Sequence, residues 1–275
     1  MLNSVGLKDF WTLNFACFVA CFRFPETGPE VLIVYHNESS GTYSVRLPGG
    51  CCKFIDIVYG INQIMPQMSP VESDRMPGVI ERIHELGVDY EEGVTKLKLK
   101  LKEDVSENEK SNLEKSKKDL ALRKLKKEHF FSKNYLFNLK MRDAYQLINY
   151  ALLNKSLVGL IIDSAHIACA ERELVFETSA SIGATFYEAS SSLVGTHEKV
   201  CMVSFDLKAP DSYSGSADSE IAGSEWMSLE DAEKQLFEAT MSSHKVFFQA
   251  AINRAITLKL PNSEQLQPYL TATDS

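Results

Sequence analysis

Strand-like patterns dominate the first 50 residues of the chain. Aromatic and β-branched residues fill residues 14–24 and the VLIVY run at 31–35, and the turn-forming stretch Pro25–Pro29 separates them. This arrangement predicts a β-hairpin. A third short strand is expected at Tyr43–Leu47, and the glycines of Pro48-Gly49-Gly50 end it with a sharp bend.

Beyond Gly50 the apolar positions follow a helical period, at Val79–Leu86 and again from Asn134 to Leu157. A further helix is expected to begin near Asp163, which would be its N-cap, and to stop at Ser179–Gly183. The remaining expectations are strands at 184–188 and 198–207, a polar loop at 209–224, a helix capped near Ser228 and a frayed tail after Pro261.

A charge run from Thr95 to His129 separates the helical segments, with twelve basic and seven acidic side chains. We interpret the run as a solvated helical face or linker; the alternatives are an arm that contacts phosphate groups or RNA and a helix that binds a protein. The repeat KLKLKLK at 96–102 alternates strictly, which predicts an exposed edge strand with lysines on its open face.

Composition narrows the class of protein. The hydrophobic fraction of 44% and the net charge of −8 indicate an ordinary globular protein with a sizeable core and argue against a chain devoted wholly to nucleic-acid phosphates. We expect an intracellular protein, most simply cytoplasmic, with an organelle as the alternative. The apolar run at 10–22 is too short to span a bilayer, so we expect a strand and no membrane partner; a signal-peptide core is the alternative. The six cysteines lack the spacing of a disulfide framework and are expected to be reduced.

Candidate chemistry lies in the segment Arg172-Glu173-Leu174 with Glu177. In a helix Glu173 and Glu177 project from one face, where their like charges repel. Solvent can screen this repulsion, or a cation can lie between the carboxylates. Oxygen ligands at this spacing suit Mg²⁺.

The order of these segments resembles the Nudix hydrolase family. The strand ending RLPGG, the helix ACAERELVFETS and the later segment EIAGSEWMSLEDA carry the resemblance. The family's box reads G-x5-E-x7-R-E-U-x-E-E-x-G-U, where U is a bulky aliphatic residue and the glutamates bind metal ions. Here roughly 110 residues separate Gly50, which resembles the opening glycine, from the helix.

The resemblance implies a role for each matching position. Arg172 would orient a carboxylate, Glu173 would be a general base or metal ligand, Glu177 a metal ligand, and the Gly50 backbone would help to position an ion, Mg²⁺ or Mn²⁺. Three positions depart from the box, since Phe176 and Ser164 stand where glutamates are expected and Ser179 replaces the closing glycine.

Other acidic residues could replace the missing ligands: Asp163, Asp211, Asp218 and Glu220. The histidines show no ligand-like spacing, so His36, His84, His129, His197 and His244 are expected to be surface or core residues. Trp226 is expected in the core.

The resemblance implies an α/β protein with a Nudix-type α/β/α sandwich and a mixed sheet, interrupted by a mostly helical insertion. Its expected parts are an N-terminal part at 1–50, the charged insertion at 51–157, a C-terminal part at 158–260 and a flexible tail at 261–275. The implied function is Mg²⁺-dependent hydrolysis of a diphosphate linkage in a nucleoside diphosphate linked to another moiety. The alternative is a catalytically inactive Nudix-fold module that binds nucleotide, RNA or protein. A nucleotide-type small molecule is the expected ligand, with RNA or protein contact through the basic insertion at 95–128.

Overall fold

The computed structural model describes residues 14–37, 43–111, 114–194, 197–215, 220–238 and 242–270. These residues fall into two compact units. The first contains Lys53–Ser164, and the second contains Phe15–Cys52 together with Ala165–Ser275. We describe each unit by itself.

The first unit is helical. Its elements are α1 (Phe54–Ile64), a short 3-10 helix (Met65–Gln67), α2 (Pro70–Ser73), α3 (Met76–Lys110), α4 (Lys115–Ala151) and the beginning of α5 (Ser156–Thr178). The long helices α3 and α4 form an antiparallel hairpin, because Asn108 donates to the Lys118 carbonyl and Lys140 pairs with Asp89 at 2.8 Å, further from the tip. The α3–α4 hairpin therefore carries the whole charge run.

The Glu72 carboxylate links α2 to the segment that follows α4. Its carboxylate accepts hydrogen bonds of 2.8 Å from the backbone N–H groups of Leu153 and Asn154, and two more from Ser69. These hydrogen bonds, with the Ser69 hydroxyl first, lower the pKa of Glu72 to about 2.

The edge strand predicted at 96–102 is wrong, since the KLKLKLK repeat lies inside α3. Four-residue spacing puts Leu97 and Leu101 on one helical face with the buried Val94, and both are partly buried. Leu99 lies on another face and is exposed. The long helical context and the high helix propensity of leucine and lysine outweigh seven residues of alternation.

The second unit is built on an eight-stranded sheet in the described part of the chain. The strands are β1 (Asn14–Arg23), β2 (Glu30–Asn37), β3 (Tyr43–Arg46), β4 (Gly49–Cys51), β5 (Tyr187–Val194), β6 (His197–Ser204), β7 (Ser212–Ser214) and β8 (Ile221–Ser228). Their order is β5-β6-β1-β2-β8-β7, with β3 paired to β2 and β4 paired to β1. The protein has helices and a mixed sheet and so belongs to the α/β class.

Two helices pack on this sheet, α6 (Leu229–Glu238) and α7 (Ser242–Thr257). The core between them and the strands contains side chains of both layers, among them Phe22, Ile33, Leu236, Phe248 and Ile252. The hydroxyl of Ser228 accepts a hydrogen bond from the Asp231 N–H and caps α6, as predicted. Trp226 is buried, with 9% of its surface exposed, which agrees with the expected core role. None of the six cysteines is in a disulfide.

Several expected bounds differ from the structure. Helix α4 ends at Ala151 and not at Leu157, β5 spans Tyr187–Val194 and not 184–188, and the loop expected at 209–224 contains β7 and the first residues of β8. Helix α5 begins at Ser156 and not near Asp163, because the buried Leu157, Val158, Ile161 and Ile162 extend its apolar positions backwards. The expected flexible tail includes a 3-10 helix at Ser263–Tyr269, and Leu266 of that helix is fully buried in the core. Residues 271–275 lie outside the described residues.

Candidate functional site

The site begins at the glycine turn, the segment Pro48-Gly49-Gly50 that leads from β3 into the first two residues of β4. Gly49 and Gly50 pair with Phe18 and Cys17 of β1 in antiparallel register. Gly49 has φ +150°, and a Cβ added to it would lie 2.1 Å from the Cys17 carbonyl oxygen. Only glycine fits this position, so the close approach of the turn to β1 depends on the missing side chain.

Glu177, near the end of α5, lies against this turn. Its Oε2 accepts a 2.8 Å hydrogen bond from the Gly49 N–H. Its side chain is almost completely buried, with 3% of the residue exposed. The turn and the helix are thus joined through one carboxylate, although 128 residues separate them in sequence.

Glu173 lies one helical turn earlier and contacts the next glycine. A Cβ built on Gly50 would lie 2.7 Å from the Glu173 carboxyl carbon, so the carboxylate fills the space that the missing side chain leaves. Arg172 pairs with Glu173 through Nη1 and donates a 3.0 Å hydrogen bond from Nη2 to the Cys51 carbonyl. Arg172 therefore holds both a carboxylate and the end of the turn.

Burial is the main influence on both carboxyl groups. Burial raises the pKa of Glu173, and the Arg172 guanidinium opposes this only in part. Burial likewise raises the pKa of Glu177, against the hydrogen bonds from His36 and Gly49. Neighbouring carboxylates add to these increases in pKa, Glu177 acting on Glu173 and Glu220 on Glu177. Such perturbed carboxyl groups are typical of ligand and catalytic sites.

His36 is the site residue that the sequence interpretation missed. It is buried on β2, with Nε2 3.4 Å from Oε1 of Glu177 and Nδ1 3.7 Å from Oε1 of Glu220. The register of β2 and β8 pairs His36 with Ile221, which brings Glu220 beside the imidazole. No local spacing could have indicated this, because His36 and Glu177 are 141 residues apart.

Of the acidic residues weighed as replacement ligands, the structure brings Glu220 to this cluster. Asp211 instead pairs with Arg23 at 2.5 Å, and Arg23 also binds Glu30 at the opposite end of β2 from His36. Asp163 and Ser164 belong to the first unit, and Asp218 lies outside the described residues. Glu220 has an exposed side chain, so it borders solvent while Glu173 and Glu177 do not.

Phe176 and Ser179 are the other two positions that depart from the family's box. Phe176 points away from the buried face of α5 and is 64% exposed. Ser179 has φ +55°, the left-handed backbone that a closing glycine adopts without strain. The bend that ends the helix is therefore present without its glycine.

His244 of α7 is buried beside the strand that leads into the turn. Its Nδ1 accepts a 3.3 Å hydrogen bond from the Leu47 N–H, and its ring meets Phe18 edge to face at 4.8 Å. Burial, with smaller contributions from nearby positive charges, lowers the pKa of His244 to about 4. His244 is thus a neutral core residue, as expected from the sequence.

No protein-family model matches the chain, and no curated protein matches it at a significant level. Within the described residues, no helix is both long and apolar enough to cross a membrane.

Proposed function

We propose that this chain is a Nudix-type pyrophosphohydrolase that cleaves the diphosphate linkage of a nucleoside diphosphate joined to another moiety, with Mg²⁺ or Mn²⁺ as cofactor. The observation that carries the proposal is the contact of Glu173 and Glu177 with two consecutive glycines. A Nudix-type α/β/α sandwich is the fold that belongs with this proposal.

The donor set fits a hard divalent cation. Glu173 and Glu177 supply carboxylate oxygens, the Gly50 carbonyl is an oxygen of the same turn, and Glu220 adds a carboxylate at the solvent side. Mg²⁺ prefers such oxygen ligands. Burial is the largest cause of the raised pKa of both carboxyl groups, and the neighbouring carboxylates add to it. A bound cation would favour the ionised form of both groups.

The residues have separable roles in this reaction. Water attacks one phosphorus of the diphosphate, the bond from that phosphorus to the bridging oxygen breaks, and the proton lost by water passes to Glu173 or solvent. A bound Mg²⁺ would neutralise diphosphate charge and lower the pKa of a coordinated water. Glu173 is the base or a ligand, Arg172 orients its carboxylate, and the Gly49 N–H fixes the orientation of Glu177.

A catalytically silent binding module is the second candidate. The exposed phenyl ring of Phe176 favours it, since this position carries a ligating glutamate in the family box and phenylalanine offers no ligand atom. Such a module would use the same site to hold a nucleotide without cleaving it.

Turnover of a substrate panel separates the two candidates. The panel contains nucleoside triphosphates, dinucleotide polyphosphates, ADP-ribose, NADH, coenzyme A and capped RNA, each with and without Mg²⁺. For the enzyme, one substrate class is hydrolysed and Glu177→Gln and Glu173→Gln each reduce turnover by at least a hundredfold. Glu171→Gln is the matched control, because Glu171 lies on the same helix but bonds the Gly183 N–H. Ligand-induced thermal shifts without hydrolysis would leave the binding module and reject the enzyme.

A further inference from the structure

The outer face of α4 carries an exposed row of basic and aromatic side chains. Leu120, Lys124, Lys127, Phe131 and Tyr135 follow one another at spacings of three or four residues and so lie on one helical face, here called the α4 stripe. The three apolar members are 70%, 57% and 70% exposed in chain order. At 1.5 Å per residue the stripe is about 22 Å long.

The stripe is not the packing face of its helix. The residues on the opposite side of this half of α4, Leu122, Leu125 and His129, are less exposed, which leaves the stripe towards solvent. Singly scattered apolar side chains are normal on a protein surface, whereas apolar side chains grouped on one exposed face mark a binding surface more often. Phe131 and Tyr135 lie one helical turn apart on such a face.

Charge identifies the chemistry of the partner. The run Thr95–His129 has an excess of five positive charges in a chain whose net charge is −8. Within the stripe, the Lys127 ammonium lies 5.8 Å from the centre of the Phe131 ring, so ring and cation face the same side. A ligand that contacts both must offer negative charge and a flat surface together.

We infer that the α4 stripe binds single-stranded RNA, with Lys124 and Lys127 contacting phosphates and Phe131 and Tyr135 stacking on bases. Aromatic stacking combined with lysine–phosphate contacts is the general mode of single-strand recognition without sequence preference. The length of the stripe accommodates about six nucleotides at roughly 3.4 Å each. This inference is independent of the proposed hydrolysis, since it rests on α4 alone.

An anionic membrane is the competing partner, and the composition of the stripe argues against it. Helices that lie in a membrane surface present a continuous apolar face opposite a charged one. In the α4 stripe, two lysines interrupt the apolar positions, and the remaining aliphatic side chains of this half of the helix are on the less exposed side.

The test measures binding of the full chain to a fluorescein-labelled 12-nucleotide oligouridine by fluorescence anisotropy, with a salt series. We expect Phe131→Ala with Tyr135→Ala to weaken binding by at least tenfold. Tyr150→Ala is the matched control, because Tyr150 is 77% exposed on the same helix but lies off the stripe; its affinity should stay within twofold of the wild type.

The salt series tests the lysines separately. The slope of log K against log salt, where K is the association constant, is negative. Lys124→Gln with Lys127→Gln should reduce its magnitude by about 1.4, because two lysines no longer neutralise phosphates. Lys98→Gln with Lys102→Gln removes the same charge from α3 and should change the slope less. Unchanged affinity of the aromatic double variant would overturn the inference, as would binding to phosphatidylserine vesicles with none to RNA. Thermal unfolding of each variant establishes that these exposed substitutions leave the fold intact.

Discussion

The Gly49 N–H and the Glu177 carboxylate are 2.8 Å apart, and this hydrogen bond joins a turn that permits only glycine to a carboxylate that is nearly inaccessible to solvent. Because the donor is a backbone N–H group, no donor side chain loses conformational freedom when this hydrogen bond holds the Glu177 carboxylate in place. A second glycine and a second glutamate are also close together. The Glu173 carboxylate fills the space that the missing side chain of Gly50 leaves. The glycine backbone therefore lies against both carboxylates of the candidate site.

The two raised carboxyl pKa values predict an unusual pH dependence of stability. A carboxyl group whose folded-state pKa is raised binds its proton more tightly when folded, so stability decreases as pH rises from about 4.5 to the raised value. In EDTA, Glu173→Gln with Glu177→Gln should therefore raise the thermal midpoint at pH 7 and flatten this pH slope. Thermal unfolding at pH 5, pH 7 and pH 8 measures both effects, and a lower thermal midpoint for the double variant than for the wild type at pH 8 would contradict the account.

His36 should stabilise the folded protein through Glu177. Loss of a hydrogen bond to a buried carboxylate costs about 1–2 kcal/mol, and the 3.4 Å separation puts His36→Ala in this range. A double-mutant cycle with Glu177→Gln isolates the pair, and we expect a coupling energy of about 1 kcal/mol. His84→Ala, in the first unit, is the control that should show no coupling with Glu177→Gln. If the changes in unfolding free energy of His36→Ala and Glu177→Gln were additive, the two side chains would not interact and His36 would not belong to the site.

Gly50→Ala should reduce turnover without deleting a ligand. The new methyl group would lie 2.7 Å from the Glu173 carboxyl carbon and displace that carboxylate. A misplacement of this size costs about a hundredfold in rate where geometry is critical. Gly78→Ala has open space around its Cβ in α3 and should leave the rate unchanged. The measurement is turnover on the substrate that the panel identifies, with circular dichroism as the check on folding; an unaltered rate in Gly50→Ala would show that the Glu173 position is not critical.

Ser179→Gly should stabilise the protein. Ser179 has φ +55° at the end of α5, and glycine adopts this conformation with about 1 kcal/mol less strain. The control is Ser181→Gly, two residues later and outside the set of positive-φ residues, where the added freedom of the unfolded chain should lower stability slightly. Urea unfolding of both variants provides the comparison, and equal effects at the two positions would rule out strain at Ser179 as the cause.

Much of the local structure follows from sequence pattern. The hairpin of β1 and β2, the bend at Gly49-Gly50, the Ser228 cap and the end of α5 were all predicted, because each depends on side-chain periodicity or on a residue with special backbone freedom. The helical face that Glu173 and Glu177 share is likewise a consequence of four-residue spacing. The start of α5 was missed although Asn154 marks it, since the Asn154 side-chain oxygen accepts a 3.2 Å hydrogen bond from the Ser156 N–H.

Two features follow from tertiary structure alone, because each depends on residues that are distant in sequence. The repeat at 96–102 has the period of a strand, yet Leu97 and Leu101 are partly buried as one face of α3 because the long helical hairpin fixes their backbone. His36 joins Glu177 and Glu220 only because β2 pairs with β8 and the end of α5 meets the glycine turn. By itself the sequence determined which residues carry charge and which backbone positions can bend. Only the packed structure decided which charges are buried together, since burial and long-range pairing depend on all the elements at once.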